Sequence, residues 1–157
     1  ADWRAIRAVR EAISIPLIAN GDGNSIEDVR AMLAQSGADG VMIGRGAYGR
    51  PWWPAVLADL LDPGSGRVEP GIAEQTDIVR QHYDAMLDHY GEPHGIKIAR
   101  KHLGWAIDRW RDAGLIETEQ ARMWRTKLLR SPDAGQVRSG LDRLSKILSS
   151  ASEQVAA

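Results

Sequence analysis

Apolar positions change rhythm once along this chain. Over residues 1–61 short apolar runs alternate with helical spacing, and beyond residue 66 only helical spacing remains. Ile6, Val9, Ala12 and Ile13 recur at helical intervals behind Asp2, a good N-cap, and predict a helix over 2–13. Pro16 opens a strand through Ala19. Ser25 predicts the start of a helix carrying Val29, Met32 and Leu33, with Glu27 and Asp28 in the first turn, where the helix dipole favours them. Gly37 stops it. Residues 40–43 predict a second buried strand, too continuously apolar to alternate, as expected when both faces are covered. A short helical turn over 47–49 follows, and Pro51 suits the first turn of a helix carrying Val56, Leu57, Leu60 and Leu61.

Strands alternating with helices across short loops imply a parallel sheet with right-handed crossovers. Two strands do not make a stable sheet alone. This half therefore needs upstream strands or a second copy of the chain, and its exposed strands invite self-association through edge pairing.

Asp62-Pro63-Gly64-Ser65-Gly66 has the composition of a linker. Past it, Ile72, Val79, Tyr83, Met86, Leu87 and Tyr90 mark a helix over 72–90. Ile96, Ala99, Leu103, Ala106, Ile107 and Trp110 mark another over 95–112, and shorter helices are predicted over 117–130 and 134–149. Gly91, Gly114 and Ser131-Pro132 are the joints, and the last several residues are expected to fray. The pattern divides the chain into 1–66, α/β, and 67–152, a small all-α bundle.

Composition narrows the chemistry. The chain has 157 residues and no cysteine, so neither a disulfide framework nor a thiolate nucleophile can come from it. That favours a cytoplasmic setting. No apolar run approaches the ~20 residues needed to cross a bilayer, so no membrane partner is expected, nor a metal site. The chain starts inside a helix pattern with no preceding strand, which points to the C-terminal fragment of a larger protein. A net charge of −1 conceals an uneven distribution. Residues 1–69 contain no lysine, whereas 97–130 hold Lys97, Arg100, Lys101, Arg109, Arg111, Arg122, Arg125, Lys127 and Arg130 against Asp108, Asp112, Glu117 and Glu119. Such an excess is either a nucleic-acid footprint or a solvated, ion-paired surface.

Both strands end abruptly in small and polar residues, Asn20-Gly21-Asp22 and Gly44-Arg45-Gly46. In parallel α/β folds ligands sit beyond the C-terminal ends of the strands. Asn20 offers an amide donor and acceptor, Gly21 backbone access, and Asp22 an acceptor for hydroxyls. The same tripeptide also makes an ordinary tight turn. Gly44 and Arg45 precede the predicted helical turn, where backbone N–H groups and a guanidinium suit a phosphate; the bland alternative is a glycine-softened turn with a surface arginine.

The stretches 16–22, 39–47 and 49–52, with His82-Tyr83 and Ile98-Ala99-Arg100-Lys101-His102-Leu103-Gly104-Trp105, resemble the tRNA-dihydrouridine synthases, with the best match to the bacterial B-type (DusB) branch. Other flavin barrels share the strand-end motifs; the Arg-Lys-His-Leu-Gly-Trp helix makes the combination specific. The resemblance implies the last β/α units of an FMN-binding TIM barrel followed by a four-helix tRNA-binding domain. It also implies a parent enzyme, monomeric by analogy, that reduces uridines in tRNA to 5,6-dihydrouridine with FMN and NADPH. By carry-over Asn20, Gly21, Asp22, Gly44 and Arg45 bind FMN, while Lys97, Arg100 and Lys101 touch tRNA phosphates. His102 is expected to be structural, and the tryptophans core or domain-interface residues. The family's proton-donor cysteine lies upstream, so no catalytic residue is expected here and the chain alone should be inert. The rivals are a non-catalytic RNA-binding module and another phosphate-binding barrel, such as a sugar-phosphate isomerase or synthase.

Overall fold

The computed structural model describes residues 1–155. Its elements are α1 (Trp3–Ala12), β1 (Ile18–Asn20), α2 (Ile26–Ser36), β2 (Gly40–Met42), a 3-10 turn (Arg45–Ala47), α3 (Trp53–Leu61), α4 (Ile72–Tyr90), α5 (Glu92–Asp112), α6 (Thr118–Arg130) and α7 (Ala134–Val155). They fall into two compact units, Ala1–Glu69 and Pro70 onward.

In the first unit the helix ends follow the local chemistry. Asp2 caps α1 by accepting from the N–H groups of Arg4 and Ala5. Ser25 and Asp28 close a reciprocal box at the start of α2: the Asp28 N–H donates to Ser25 Oγ, and the Ser25 N–H to Asp28 Oδ2, both at 3.0 Å. Gly37, with φ 67°, ends α2 in the left-handed conformation. β1 and β2 pair in parallel, with Asn20 opposite Met42. Ala19, Val29, Met32, Trp52, Trp53, Val56 and Leu57 are buried.

Several expectations need correction here. The second strand is not buried on both faces: Met42 is 49% exposed, and Ile18 on its neighbour 58%. Among the described residues these two strands have only each other as sheet partners. The helical turn lies at Arg45–Ala47 rather than over 47–49. Pro51 belongs to the turn before α3; Pro54 takes the first helical turn, where a missing N–H costs nothing. Leu60 and Leu61 are exposed.

The second unit is a four-helix bundle in which α4 packs on α5 and α7, and α6 on α5 and α7. A single apolar cluster runs through all four helices, including Val79, Tyr83, Leu103, Trp110, Trp124, Leu128, Leu144 and Leu148. α5 begins at Glu92, three residues before the predicted start, because Pro93 is compatible with its first turn. α7 continues through Val155, past the predicted end at 149. Tyr90, at the last position of α4, is 48% exposed rather than in the core. No described helix is long and apolar enough to cross a membrane.

Candidate phosphate site and RNA-docking face

The first strand-end loop owes its shape to two left-handed steps. Gly21 has φ 128° and Asp22 φ 53°, a conformation few side chains other than Asp and Asn adopt readily. The indole N–H of Trp3 donates to the Gly21 carbonyl at 2.9 Å. This turn aims the Asp22 carboxylate at two cations: Oδ2 lies 2.6 Å from the α-amino group of Ala1, and Oδ1 2.9 Å from Arg45 Nη2. The carboxyl is held below its ordinary pKa, chiefly by the hydrogen bond and charge of the Ala1 ammonium, with Arg45 contributing less. A peptide bond at that nitrogen would remove its charge and leave Arg45 as the partner. Asn20 is exposed, and among the described residues its amide makes only a long contact to the Met42 sulfur, 3.9 Å.

The second loop is pressed against the first. A Cβ on Gly46 would lie 2.2 Å from the Gly23 carbonyl oxygen, so only glycine fits where the two backbones meet. Arg50 then ties the loops together. Its Nε donates to the Gly46 carbonyl at 2.7 Å and its Nη2 to the Asn24 carbonyl. The guanidinium sits 4.0 Å over the Trp53 ring, and the residue is 9% exposed. Sequence reasoning assigned Arg50 no role; its one signal was an arginine just ahead of a Pro-Trp-Trp run.

Around Gly44, by contrast, no atom of the described residues beyond its chain neighbours lies within 4 Å of where a Cβ would stand. The Ala47 N–H donates to Gly44 O and the Tyr48 N–H to Arg45 O, which leaves the preceding N–H groups of Arg45 and Gly46 outside the turn's own ladder. The Arg45 side chain is 77% exposed with one nitrogen engaged by Asp22. Open backbone, N–H donors and a partly engaged guanidinium fit a phosphate group, and the adjacent Asn20 and Asp22 fit hydroxyls. All five residues proposed from sequence for this site therefore gather at one end of the two-stranded sheet.

In the bundle the basic residues separate into two sets. Arg125 pairs with Asp108 at 2.7 Å, Arg138 with Asp84 at 2.7 Å, Arg122 with Glu119 at 2.7 Å, and Arg111 with Asp108 and Asp112. Arg80 bridges Asp84 and Asp142. Lys97, Arg100 and Lys101 have no such carboxylate within 4.0 Å among the described residues, and the buried Nε of Arg100 lacks a hydrogen-bond partner. Lys97 and Lys101 are exposed and Arg100 half-buried, one turn apart on α5. Beside them His102 packs edge-on against His82 of α4, ring centroids 4.8 Å apart, and against Trp105 at 5.1 Å. Burial holds both imidazoles below their ordinary pKa; for His102 the nearby His82 and Lys101 add to it.

A family model described as Dihydrouridine synthase (Dus) matches residues 1–151. The chain is 52% identical over 105 residues to a "Probable tRNA-dihydrouridine synthase" of Rickettsia conorii, covering 67% of this chain and 32% of that protein. It is 47% identical over 142 residues to a protein of the same name from Rhizobium leguminosarum bv. phaseoli, covering 86% of this chain and 43% of the relative. Against the "tRNA-dihydrouridine synthase B" of Shewanella oneidensis the identity is 41% over 109 residues, 69% of this chain and 34% of that protein. The chain thus spans less than half the length of these relatives.

Proposed function

Because the chain belongs to the dihydrouridine synthase family, we propose that it forms the closing β/α units and the helical domain of an FMN- and NADPH-dependent tRNA-dihydrouridine synthase. In that enzyme the first unit completes a TIM barrel in the cytoplasm, and the second docks tRNA. The observation that carries the reading is the meeting of Asn20, Asp22, Gly44 and Arg45 at one end of paired parallel strands, in a chain with the family's signature along nearly its whole length.

When bound, FMN supplies the hydride that saturates a uridine ring. The residues of this chain hold its phosphate end. Arg45 and the open backbone at Gly44 neutralise and orient the phosphate, while Asp22 accepts from the polyol next to it and the Asn20 amide donates to it or accepts from it. Arg50 keeps the two loops in register without touching the ligand. On α5 the unpaired Lys97, Arg100 and Lys101 position the tRNA backbone and leave base selection to other contacts. In the family the acid that protonates the uridine carbon is a cysteine, and this chain has none; the chain alone is therefore inert and holds FMN weakly or not at all.

The test completes the protein. Residues 1–157 joined to the part of the Rhizobium leguminosarum relative that precedes its matched region should form dihydrouridine in tRNA with NADPH. Arg45→Ala in that chimera should weaken FMN binding by about tenfold or more, as loss of a charge-assisted contact predicts. A chimera that retains FMN equally well without Arg45 refutes the phosphate assignment, and turnover by the isolated chain refutes its inertness.

A further inference from the structure

Between α6 and α7 lies a groove of about 520 Å³ lined by Lys127 of α6 and by Gln136, Ser139 and Arg143 of α7, with Gly135 and Gly140. Among the described residues no apolar side chain lines it. Positions 136, 139, 140 and 143 share one helix face, so the polar groups converge rather than scatter. Gly140 lets the helices approach closely there, since a Cβ would meet the Leu128 side chain at 2.4 Å. Asp133 also reaches the groove, but its Oδ1 is committed to capping α7, accepting from the Gln136 N–H at 2.8 Å.

Charge is left over in this groove. Among the described residues no carboxylate lies within ion-pair distance of Lys127 or Arg143; Arg122, Arg125 and Arg138 on the same two helices are paired, while Arg130 and Lys146 are not. Lys127 Nζ stands 4.9 Å over the Trp124 ring, which steadies the ammonium without neutralising it. Two free cations with a hydroxyl and an amide between them, and no exposed ring to stack on, suit a phosphodiester rather than a base.

We propose that this groove binds a phosphate of the RNA backbone, as a second contact site distinct from Lys97, Arg100 and Lys101. The inference rests on the reading of the helical unit as an RNA-docking domain. α6 packs between α5 and α7, so an RNA strand reaching both sets lies across α6, where Arg130 is exposed.

The experiment is fluorescence anisotropy of labelled bulk tRNA with the full chain over a range of KCl, with circular dichroism confirming that each variant is folded. The double variant Lys127→Gln/Arg143→Gln should bind about tenfold more weakly at low salt, with a log K against log salt slope shallower by about 1–2. Arg143→Lys should keep the slope. An unchanged affinity and slope in the double variant, with Lys97→Gln/Lys101→Gln weakened, overturns the groove and leaves the docking reading standing. Weaker binding at an unchanged slope overturns it too, because a lost phosphate contact must release fewer counterions. If the unaltered chain fails to bind tRNA at low salt, the docking reading itself falls, and this site with it.

Discussion

In the helical unit all four helices feed one contiguous core, and Leu144 and Leu148 have no exposed surface at all. In the β/α unit the paired strands carry Ile18 and Met42 about half exposed, and none of the described residues of α1 is buried. Helices that follow one another in the chain can cover each other's apolar faces. A parallel sheet is covered by elements that need not be close in sequence, so a short stretch of it shows apolar surface that its own neighbours do not reach. The same kind of apolar residue therefore has very different energetic weight in the two units.

Truncating the bundle core should have the largest effect. Leu144→Ala removes a fully buried side chain and leaves a cavity, which costs about 2–5 kcal/mol. Urea unfolding followed by far-ultraviolet circular dichroism measures it. A loss below about 1 kcal/mol would mean that the bundle collapses around the gap and is not closely packed.

Next comes the junction of the two loops. Gly46→Ala forces a Cβ against the Gly23 carbonyl, which lies 2.2 Å from the required position. Neither backbone can turn aside as a side chain would, so the loops must separate, at about 1–3 kcal/mol. Hydrogen exchange should show faster opening of residues 20–50 with the bundle's slowest amides unchanged. Uniform protection in both proteins would show that the loops tolerate the displacement.

A smaller effect is expected on the open sheet. Ile18→Thr alters a residue already 58% exposed and should change stability by no more than about 0.5 kcal/mol. A cost comparable to that of Leu144→Ala would mean that something covers the sheet in solution. Light scattering would then show whether that cover is a second copy of the chain, paired through its strands.

What could be read from sequence follows the same division. The helical stripes of α4 and α5 were legible because a 3.6-residue period needs no knowledge of the partner, and Ser25 and Asp2 announced their caps through local hydrogen bonding. The strands were legible as strands, but their burial was not, since it depends on which elements lie beside them. Proline placed one helix start imperfectly: Pro51 and Pro54 both permit the first turn of α3, and the burial of Trp52 and Trp53 goes with the later start. At the candidate site the glycines and Arg45 were visible as types suited to an anion. The clamp by Arg50 was not, because its acceptors are the carbonyls of Gly46 and Asn24, which no side-chain pattern encodes. Charge composition likewise could not separate Arg125, held by Asp108, from Lys97, which stands free.

Acid should separate the two units by where each loses stability, and here the expected effect is smallest. In the bundle, burial holds His82 and His102 below the ordinary imidazole value of ~6.5, so the unfolded state takes up protons first. Bundle stability should therefore decline as pH falls from that value through the lowered ones of the folded state. In the β/α unit Asp22 is a depressed carboxylate: its contribution is complete above the ordinary value of ~3.9 and is lost as pH falls through its lower folded value. The Ala1 ammonium is the largest cause of that depression and Arg45 a lesser one. Acetylating the N-terminus removes the ammonium and keeps the guanidinium, so the Asp22 titration, followed by carboxyl carbon NMR, should move back toward the ordinary value while the imidazole titrations stay in place. If Asp22 titrates as before, Arg45 alone holds the carboxylate, and the pair is built more tightly than its 77% exposed guanidinium suggests.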